Sequence, residues 1–277
     1  MNPLLISQTI RQALIEDIGT EDITTELIFD EHVEARGVLL AKSPGRIAGL
    51  DIVRETFAML SPQVHVEARL RDGEDVIAGT ILAEITGQAR AILSAERVAL
   101  NFLQRMSGIA TQTHLLCEMI KQYPTQIIDT RKTSPGLRMF DKYAVVVGGG
   151  RNHRVGLYDA VLIKDNHIAI MGSITAAVKR VKERLGPFVK IEVETDSLEQ
   201  VEEAVHLPID VILLDNMQPD QVRTAVQLVD GRMMTEASGG MTLETIADYA
   251  VAGVDFISVG WLTHSVRALD VSLDISC

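Results

Sequence analysis

The segment VKIEVETDSLEQVEEAVHLPIDVILLDN (189–216) contains the repeating unit that decides the fold. It begins with a short apolar run at 189–194, continues with a helical pattern near 197–205 and ends with a second apolar run at 210–215. A strand, a helix and another strand in this order form the crossover that joins parallel strands. The second run is continuously apolar between its two aspartates, which indicates a strand that is buried on both faces, and we interpret the first run in the same way.

The same alternation extends on either side of this segment. Four more apolar runs predict strands at 126–129, 160–164, 232–236 and 254–259, and helical patterns lie near 173–185, 219–229 and 242–251. An apolar run at 143–147 could add a seventh strand. Because a closed barrel needs eight strands, we predict an α/β fold with an open or incomplete barrel, with a doubly wound sheet as the alternative.

Residues before about 105 have a different pattern. Leu4–Ile15 and Asp51–Leu60 have the spacing of amphipathic helices. The stretch 64–87 alternates apolar and polar residues between turn signals, as a β-meander with one solvated face does. These patterns predict an α+β unit at the start of the chain.

A helical period follows from Ser94 to about residue 123. We expect Ser94 to cap the first helix, Gly108 to end it, and a second helix to begin near Thr111. No flexible linker separates the two units, and we expect the C-terminal tail VRALDVSLDISC (266–277) to return to the first one. The predicted domains are therefore 1–108, with the tail, and 109–265.

The net charge excludes one large class of partners. The 277 residues include 26 Lys and Arg against 38 Asp and Glu, which gives a formal charge of -12. Nucleic-acid binding requires a dominant basic face, so we expect no nucleic-acid partner.

Cysteine usage and hydropathy favour a cytoplasmic protein. Cys117 and Cys277 lie at no metal-ligand or redox spacing, which is typical of a reducing compartment. The first residues show no basic stretch before an apolar core, so we expect no secretory signal. No apolar run approaches the ~20 residues that cross a bilayer, so we expect no membrane partner.

Each predicted barrel strand ends in a polar residue or a glycine. These residues are Asp129 to Lys132, Lys164, Glu194, Asp215, Glu236 and Gly260. Any one of them could be a solvated strand end, but consecutive units repeat the pattern. Because the carboxyl ends of barrel strands form one face, the pattern predicts a concave site that contains both signs of charge.

The basic members of this set are concentrated in one window. Residues 129–167 carry a net charge of +3, whereas the rest of the chain carries -15. The basic residues of the window are Arg131, Lys132, Arg138, Lys142, Arg151, Arg154 and Lys164. Arginine and lysine bind carboxylates and phosphates, so the window predicts a small polyanionic ligand.

Glu194 and Asp215 are the acidic pair at the strand ends. Beside a basic pocket they could hold Mg²⁺ with a phosphate-rich substrate, bind ribose hydroxyls or stabilise a cationic transition state. The alternative is that they cap neighbouring helices or pair with nearby basic side chains.

Glycine runs on the last two units suggest phosphate binding. Ser238-Gly239-Gly240 and Ser258-Val259-Gly260 follow strands, where backbone N–H groups often hold a phosphate in α/β barrels. We interpret His153 as a ligand contact rather than a proton carrier, since cations surround it. Lys164 suits either anion binding or a Schiff base of the aldolase type.

Longer segments carry a resemblance to a known family. They are DTRKTSPGLRMFDKYAV (129–145), GGGRNHRVGLYDAVLIKDNHI (148–168), EVET (192–195), LLDNM (213–217), EASGGM (236–241) and ISVGWLTHS (257–265), with AERVALNFLQRMSGIAT (95–111) upstream. In this order they closely resemble the quinolinate phosphoribosyltransferases. The resemblance covers essentially the whole chain.

The resemblance implies a reaction and a fold. The reaction joins quinolinate to 5-phosphoribosyl 1-pyrophosphate (PRPP) and gives nicotinate mononucleotide, pyrophosphate and CO₂ in NAD biosynthesis, with Mg²⁺ as cofactor. The fold is an N-terminal α/β sandwich and an open barrel of about seven strands. Family members are homodimers with sites shared between subunits, and some form hexamers.

The resemblance also implies roles for individual residues. Quinolinate would meet Arg131, His153, Arg154 and Lys164, together with Arg97 from the neighbouring subunit. Lys132, Glu194 and Asp215 would be catalytic, with Lys132 near the phosphates of PRPP and the two acids near the ribose and Mg²⁺. The 5-phosphate would meet the loops that contain Ser238, Gly239, Gly240, Val259, Gly260 and Trp261.

Two positions depart from the family pattern. Asp141 stands where glutamate is expected, and Trp261 stands where a small residue is more common, so its bulk either turns away or narrows the site. Three alternatives stay open: a ModD-like phosphoribosyltransferase homologue with another substrate, an aldolase that uses Lys164, and a non-catalytic sensor of the same anions. The presence of Arg97 with the other basic pocket residues favours quinolinate.

Overall fold

The computed structural model describes residues 1–276, so Cys277 lies outside the described part. The chain divides into two compact units. The first contains Met1–His114, Thr133–Gly149 and the segment from Leu262 onward, and the second contains Leu115–Lys132 and Gly150–Trp261. The continuous helix Ala89–Met119 spans both this border, at 114/115, and the one predicted at 108/109, and the first unit also contains residues 133–149, which the prediction assigned to the second.

The first unit combines an antiparallel sheet with helices. Its strands are β1 (Glu34–Ala41), β2 (Gly45–Arg46), β3 (His65–Ala68), β4 (Asp75–Val76), β5 (Ile81–Gln88) and β12 (Val271–Ser276). Its helices are α1 (Pro3–Ile18), α2 (Ile23–Ile28), α3 (Leu50–Leu60), most of α4 (Ala89–Met119) and α5 (Arg138–Val147). The main sheet has the order β12-β1-β5-β3, and its core includes Phe57, Leu82, Ile85 and Met106.

The sheet differs in part from the predicted meander. Strand β3 pairs with β5, but β4 pairs with β2 in a separate two-stranded sheet. The C-terminal tail forms β12, which pairs with β1 from Arg36 opposite Ser276 to Ala41 opposite Val271. The described end of the chain is therefore an edge strand of the first unit's sheet.

Helix α4 corrects two predictions about the same segment. The helix begins at Ala89, so Ser94 is not its N-cap; the Ser94 hydroxyl instead donates to Asp22 Oδ2 at 2.8 Å. Gly108 does not end the helix, and no separate helix starts at Thr111. A Cβ at Gly108 would lie 2.2 Å from the Arg267 carbonyl oxygen, so glycine is needed there for a close backbone contact.

The second unit is built from alternating strands and helices. Its strands are β6 (Gln126–Ile128), β7 (Val161–Ile163), β8 (Ile191–Thr195), β9 (Val211–Asp215), β10 (Met234–Ser238) and β11 (Phe256–Ser258). Its helices are α6 (Asp165–Met171), α7 (Ile174–Lys182), α8 (Leu198–Ala204), α9 (Pro219–Val229) and α10 (Ile246–Val251), and α11 (Trp261–His264) follows β11. The six predicted strands and the helices predicted between them are confirmed, and α6 was not predicted.

The strand order identifies an open barrel. The order is β7-β8-β9-β10-β11-β6, and all pairings are parallel. From β7 to β11 each strand lies beside its successor, and β11 pairs with the first strand, β6, without the reversal of order that a doubly wound sheet has. The sheet is open between β6 and β7, where Arg151 adds only an isolated parallel bridge to Ile128. The predicted fold class is confirmed.

The seventh strand suggested at 143–147 is wrong. These residues belong to α5, in the first unit. Phe140, Ala144 and Val145 are buried and belong to the first unit's hydrophobic core, so this apolar run packs as a helix rather than pairing as a strand. No helix in the described residues is long and apolar enough to cross a membrane.

Candidate active site

A cavity of about 390 Å³ opens at the carboxyl ends of the barrel strands. Its lining includes eight of the predicted site residues: Arg131, Lys132, His153, Arg154, Lys164, Glu194, Asp215 and Ser238. Thr130, Leu162, Leu213, Glu236 and Ser258 complete the lining. The predicted convergence of strand ends in one concave site is therefore observed within the second unit.

The parallel sheet explains why these distant residues meet. Arg131 and Lys132 follow β6, Lys164 follows β7, and Glu194 and Asp215 lie in the last residues of β8 and β9. Parallel strands present their carboxyl ends at one edge, and alternate side chains of each strand point to the same face. Residues from Thr130 to Ser258 thus share one cavity although they are far apart in the sequence.

The basic side chains create an anion-binding environment. Burial lowers the pKa of Arg154, and the positive charge of Arg131 lowers it further. The Arg154 Nη1 atom donates to the Ala160 carbonyl oxygen at 3.0 Å, while its buried Nε atom has no hydrogen-bond partner among the described residues. Two guanidinium groups that repel each other in a partly buried site favour a bound anion.

The acidic pair lies beside Lys164. The Lys164 Nζ atom is 3.5 Å from Glu194 Oε2. Burial raises the pKa of Glu194, the charge of Lys164 opposes the rise, and the neighbouring Asp215 carboxylate adds to it. Asp215 Oδ2 accepts a hydrogen bond from Asn216 Nδ2 at 2.7 Å. These oxygens can accept hydroxyl protons or contact a divalent cation.

The setting of Lys164 does not match that of a Schiff-base lysine. Its side chain is 48% exposed and has the Glu194 carboxylate as a neighbour. Nucleophilic lysines are activated by desolvation in an apolar pocket or by another cation. Lys164 therefore fits anion binding better than the aldolase alternative.

His153 lies beside two acidic residues rather than among the cations that the sequence suggested; Glu236 was predicted at a strand end of the site, whereas Glu192 was not placed in the site. Its Nε2 atom is 3.0 Å from Glu192 Oε2 and 3.5 Å from Glu236 Oε2. Its Nδ1 atom accepts the Arg154 backbone N–H at 2.7 Å, and its own backbone N–H donates to Asp129 Oδ1 at 2.9 Å. Both ring nitrogens thus have partners within the protein.

The two glutamates are deeply buried. Glu192 is 6% exposed and Glu236 is 2% exposed, and one oxygen of each has no hydrogen-bond partner among the described residues. Burial raises the pKa of Glu236 well above its usual range, and the nearby Glu192 carboxylate raises it further. Glu192 precedes Glu194 by two residues in β8, so their common face was the signal available in the sequence.

The predicted phosphate loops have special backbone geometry. Gly239 has φ +99, and a Cβ there would lie 2.1 Å from Asn216 Oδ1. Gly240 has φ +59 with open space around it. Ser238 lines the cavity, whereas Gly239, Gly240, Val259, Gly260 and Trp261 are not among the lining residues.

The Trp261 side chain is turned onto the loop that follows β10. Its Nε1 atom donates to the Met241 carbonyl oxygen at 2.8 Å. The Trp261 side chain is larger than the small residue expected at this position, but a hydrogen bond holds it and it does not line the cavity.

Several predicted basic residues lie elsewhere. Arg97 is exposed on α4 in the first unit, and Arg151 is exposed at its bridge to β6. Arg138 and Lys142 belong to α5 in the first unit, where Arg138 Nε donates to Thr133 Oγ1 at 3.0 Å and Lys142 is buried. The basic window is thus divided, and only part of it lines the cavity.

Comparisons with known proteins match the whole fold. The family model described as "Quinolinate phosphoribosyl transferase, N-terminal domain" matches residues 22–107, and the corresponding C-terminal domain matches residues 109–274. A probable nicotinate-nucleotide pyrophosphorylase [carboxylating] of Bacillus subtilis is 46% identical over 276 residues, which cover 100% of this chain and 95% of the relative.

Solved structures of similar proteins agree with this match. The crystal structure of NadC from Streptococcus pyogenes has a TM-score of 0.96 at 40% identity and covers 100% of this chain and 98% of its own. The nicotinate-nucleotide pyrophosphorylase from Francisella tularensis has a TM-score of 0.95 at 38% identity with the same coverage. The chain therefore belongs to the quinolinate phosphoribosyltransferase family.

Proposed function

We propose that the barrel cavity binds quinolinate and PRPP and forms nicotinate mononucleotide, pyrophosphate and CO₂. As a member of its family the chain is a phosphoribosyltransferase, and this reaction is the carboxylating nicotinate-nucleotide pyrophosphorylase activity of NAD biosynthesis. The observation that carries the proposal is the meeting of Arg131, Arg154 and Lys164 with Glu194 and Asp215 in one cavity at the strand ends.

The basic side chains suit the dicarboxylate. Quinolinate has two adjacent carboxylates, and guanidinium groups bind carboxylates through paired, charge-assisted hydrogen bonds. Arg131 and Arg154 provide such groups, Lys164 adds a compact charge, and His153 lies beside Arg154. The Arg154 side chain lines the cavity, and its buried Nε atom has no hydrogen-bond partner among the described residues.

The acidic side chains suit the ribosyl donor. When pyrophosphate leaves PRPP, positive charge develops at C1 of the ribose, and a fixed carboxylate stabilises that charge. Glu194 and Asp215 provide this charge at the strand ends, and Lys132 faces the same cavity as a partner for departing phosphate oxygens. The turns at Gly239 and Gly240 leave backbone N–H groups near Ser238 for the 5-phosphate.

Mg²⁺ is the proposed cofactor. Glu194 and Asp215 supply hard oxygen donors, and the repulsion between them that contributes to the raised pKa of Glu194 is what a divalent cation would relieve. Bound Mg²⁺ would neutralise phosphate charge on PRPP. The loss of CO₂ needs only a pocket that favours the product, so we assign no decarboxylation base.

A homodimer is the proposed assembly, with Arg97 of one subunit completing the quinolinate pocket of the other; a hexamer would be an assembly of such dimers. Arg97 is exposed, which leaves its side chain available to a second subunit. The first unit also exposes large apolar side chains on α1 and α2, namely Leu4, Leu5, Ile15, Ile23, Leu27 and Ile28. Such a patch favours a protein interface.

Mixing inactive variants tests the shared site. Arg97→Ala and Lys164→Ala subunits are each expected to be inactive, because each removes one part of the quinolinate pocket. A mixed dimer contains one site with both residues intact, so activity should return to about a quarter of the wild-type value if subunits exchange at random. No recovery in a mixture that has exchanged subunits would contradict the shared site.

One assay separates the candidate activities. The protein is incubated with PRPP, Mg²⁺ and either quinolinate or nicotinate, and nucleotide and CO₂ are measured. We expect product from quinolinate and little from nicotinate, which lacks one carboxylate. Equal use of nicotinate would refute the dicarboxylate pocket, and binding without turnover would indicate a sensor.

A ModD-like activity would leave quinolinate unused, and an aldolase would form a borohydride-trapped adduct at Lys164. The predicted cytoplasmic location is checked by cell fractionation.

A further inference from the structure

The roles proposed above leave the buried Glu192 and Glu236 unexplained. We propose that Glu192 and Glu236 are positioning residues, which hold the His153 ring, and through it Arg154, in the arrangement that binds quinolinate. This role rests on the proposed function and deepens it. Neither glutamate needs to touch the substrate for the role to operate.

Hydrogen bonds fix the orientation of the His153 ring. Because Nδ1 accepts the backbone N–H of Arg154 at 2.7 Å, Nδ1 carries no proton and the neutral ring has its proton on Nε2. That N–H points toward Glu192 Oε2 at 3.0 Å, and Glu236 Oε2 lies 3.5 Å away. A flipped ring would lose both partners, so the carboxylates select one orientation and one tautomer.

The same ring helps to fix the backbone that carries Arg154. The His153 N–H donates to buried Asp129 at 2.9 Å, and the next N–H, that of Arg154, donates to the ring. The Arg154 guanidinium is in turn held by a hydrogen bond from its Nη1 atom to the Ala160 carbonyl oxygen at 3.0 Å. The glutamates are thus linked through His153 to a cation of the cavity, which is organised before a ligand arrives.

The burial of the glutamates supports a functional role. They lie on β8 and β10, on either side of β9, and both are more than nine-tenths buried. Burying carboxyl groups is costly, and apolar residues of similar size usually stabilise a core at least as well. Selection for stability alone does not explain two such groups beside one histidine.

A metal site is the main alternative for this cluster. One ligand atom from each of the three side chains lies within 4.8 Å of the others, which would allow a shared ion. A metal on Nε2 would require the proton to be on Nδ1. The Arg154 N–H already points at Nδ1, so the hydrogen-bonded cluster fits the geometry better.

Steady-state kinetics of Glu192 variants test the positioning role. At saturating PRPP, Glu192→Ala should raise KM for quinolinate by about tenfold, because one supporting hydrogen bond is lost, and KM for PRPP should stay within about twofold. Glu192→Gln keeps an oxygen acceptor of the same size and should remain within about threefold of wild type. Glu199→Ala, on the exposed face of α8, is the matched control and should match wild type.

A nitrogen NMR spectrum of the His153 ring gives an independent readout, and the wild-type spectrum can still contradict the role if Glu192→Ala does not fold. The wild-type ring should show the tautomer protonated at Nε2, and Glu192→Ala should show a mixture of tautomers. A wild-type ring protonated at Nδ1 would overturn the role. So would equal increases of both KM values, an unchanged KM for quinolinate, or one transition-metal ion retained per chain after purification.

Failure of this role can be told apart from failure of the proposed function. If wild-type protein does not turn over quinolinate, the proposed function is wrong. If wild type is active and Glu192→Ala has the same KM for quinolinate, only the positioning role is wrong.

Discussion

The two units differ in how completely their buried acidic side chains are hydrogen-bonded. In the first unit, Asp141 is fully buried and both of its oxygens accept bonds from Arg105, at 2.8 Å each. Arg105 also donates to the Thr263 carbonyl oxygen at 3.0 Å. In the second unit, Glu192 and Glu236 are almost as buried, but each has an oxygen without a hydrogen-bond partner among the described residues.

The difference separates a structural polar group from a binding site. A buried charge whose hydrogen bonds are all made inside the protein fixes local structure. Buried polar atoms that lack internal partners are costly, and here they occur beside His153, where the proposed role of the two glutamates is to position the site. Asp141, which stands where the resemblance led us to expect glutamate, accepts both hydrogen bonds from Arg105 and is fully paired within the first unit.

The largest expected effect is on the stability of the first unit. Asp141→Ala should lower the free energy of unfolding by about 3–5 kcal/mol, because it leaves the Arg105 guanidinium partly buried without its carboxylate. Urea denaturation measures the loss. The double variant Arg105→Met, Asp141→Leu should recover most of it, since apolar pairs of similar volume replace such ion pairs well. A loss below 1 kcal/mol would show that the Arg105–Asp141 pair contributes little to stability, which would contradict the difference drawn between the units.

Arg154→Ala should affect activity rather than stability. Removal of a charged donor that faces the substrate should lower kcat/KM for quinolinate by about 10²–10³-fold. Arg36→Ala, which removes an exposed guanidinium paired with Glu84, is the control and should keep wild-type kinetics. Wild-type kinetics for Arg154→Ala would remove Arg154 from the site.

Two adjacent glycines allow a sharper comparison within the second unit. Gly239→Ala should cost about 3 kcal/mol, because the left-handed backbone is strained and the Cβ meets Asn216. Gly240→Ala has only the backbone strain and should cost about 1–2 kcal/mol. Thermal unfolding measures both, and KM for PRPP should rise more for Gly239→Ala. Equal effects would show that the loop is free to relax.

The smallest effect concerns a helix cap in the first unit. Hydrogen bonds from Thr25 and Ser94 lower the pKa of Asp22. The unfolded pKa is about 3.9. A lowered folded pKa means that the stabilisation is complete above the unfolded value and is lost as pH falls through the folded one. Asp22→Asn keeps a capping oxygen at the start of α2 but loses the negative charge, so it should be about 0.5 kcal/mol less stable at pH 7 and equal to wild type near pH 2. A difference that grows with acidity would contradict this assignment.

The sequence was sufficient to predict the positions of the barrel strands. Continuous apolar runs such as 210–215 bury both faces, so hydrophobicity alone marks them. Their polar ends then located Lys164, Glu194 and Asp215 in the cavity. These features depend on residues that are close together in the sequence, so the sequence alone is enough to recognise them.

Long-range contacts account for the errors. Gly108 resembles the glycine that often ends a helix, but glycine is needed there because the Arg267 backbone packs closely against it. Arg267 lies more than 150 residues later in the chain. The run 143–147 is apolar enough for a strand, but its neighbours Asp141 and Phe140 are buried on a helix. The contact of Glu192 with His153 could not be predicted from the strand that contains Glu192, because His153 comes from a different part of the barrel.

The central claim is that the basic side chains of the barrel cavity, Arg131, Arg154 and Lys164, bind quinolinate for transfer and decarboxylation. The most direct measurement uses quinolinate labelled in its 2-carboxylate, with PRPP and Mg²⁺, and quantifies labelled CO₂, pyrophosphate and nicotinate mononucleotide together. The account predicts the three products in equal amounts with wild-type protein, and a large common decrease with Arg154→Ala. Nucleotide formed without labelled CO₂, or equal turnover by Arg154→Ala, would contradict it.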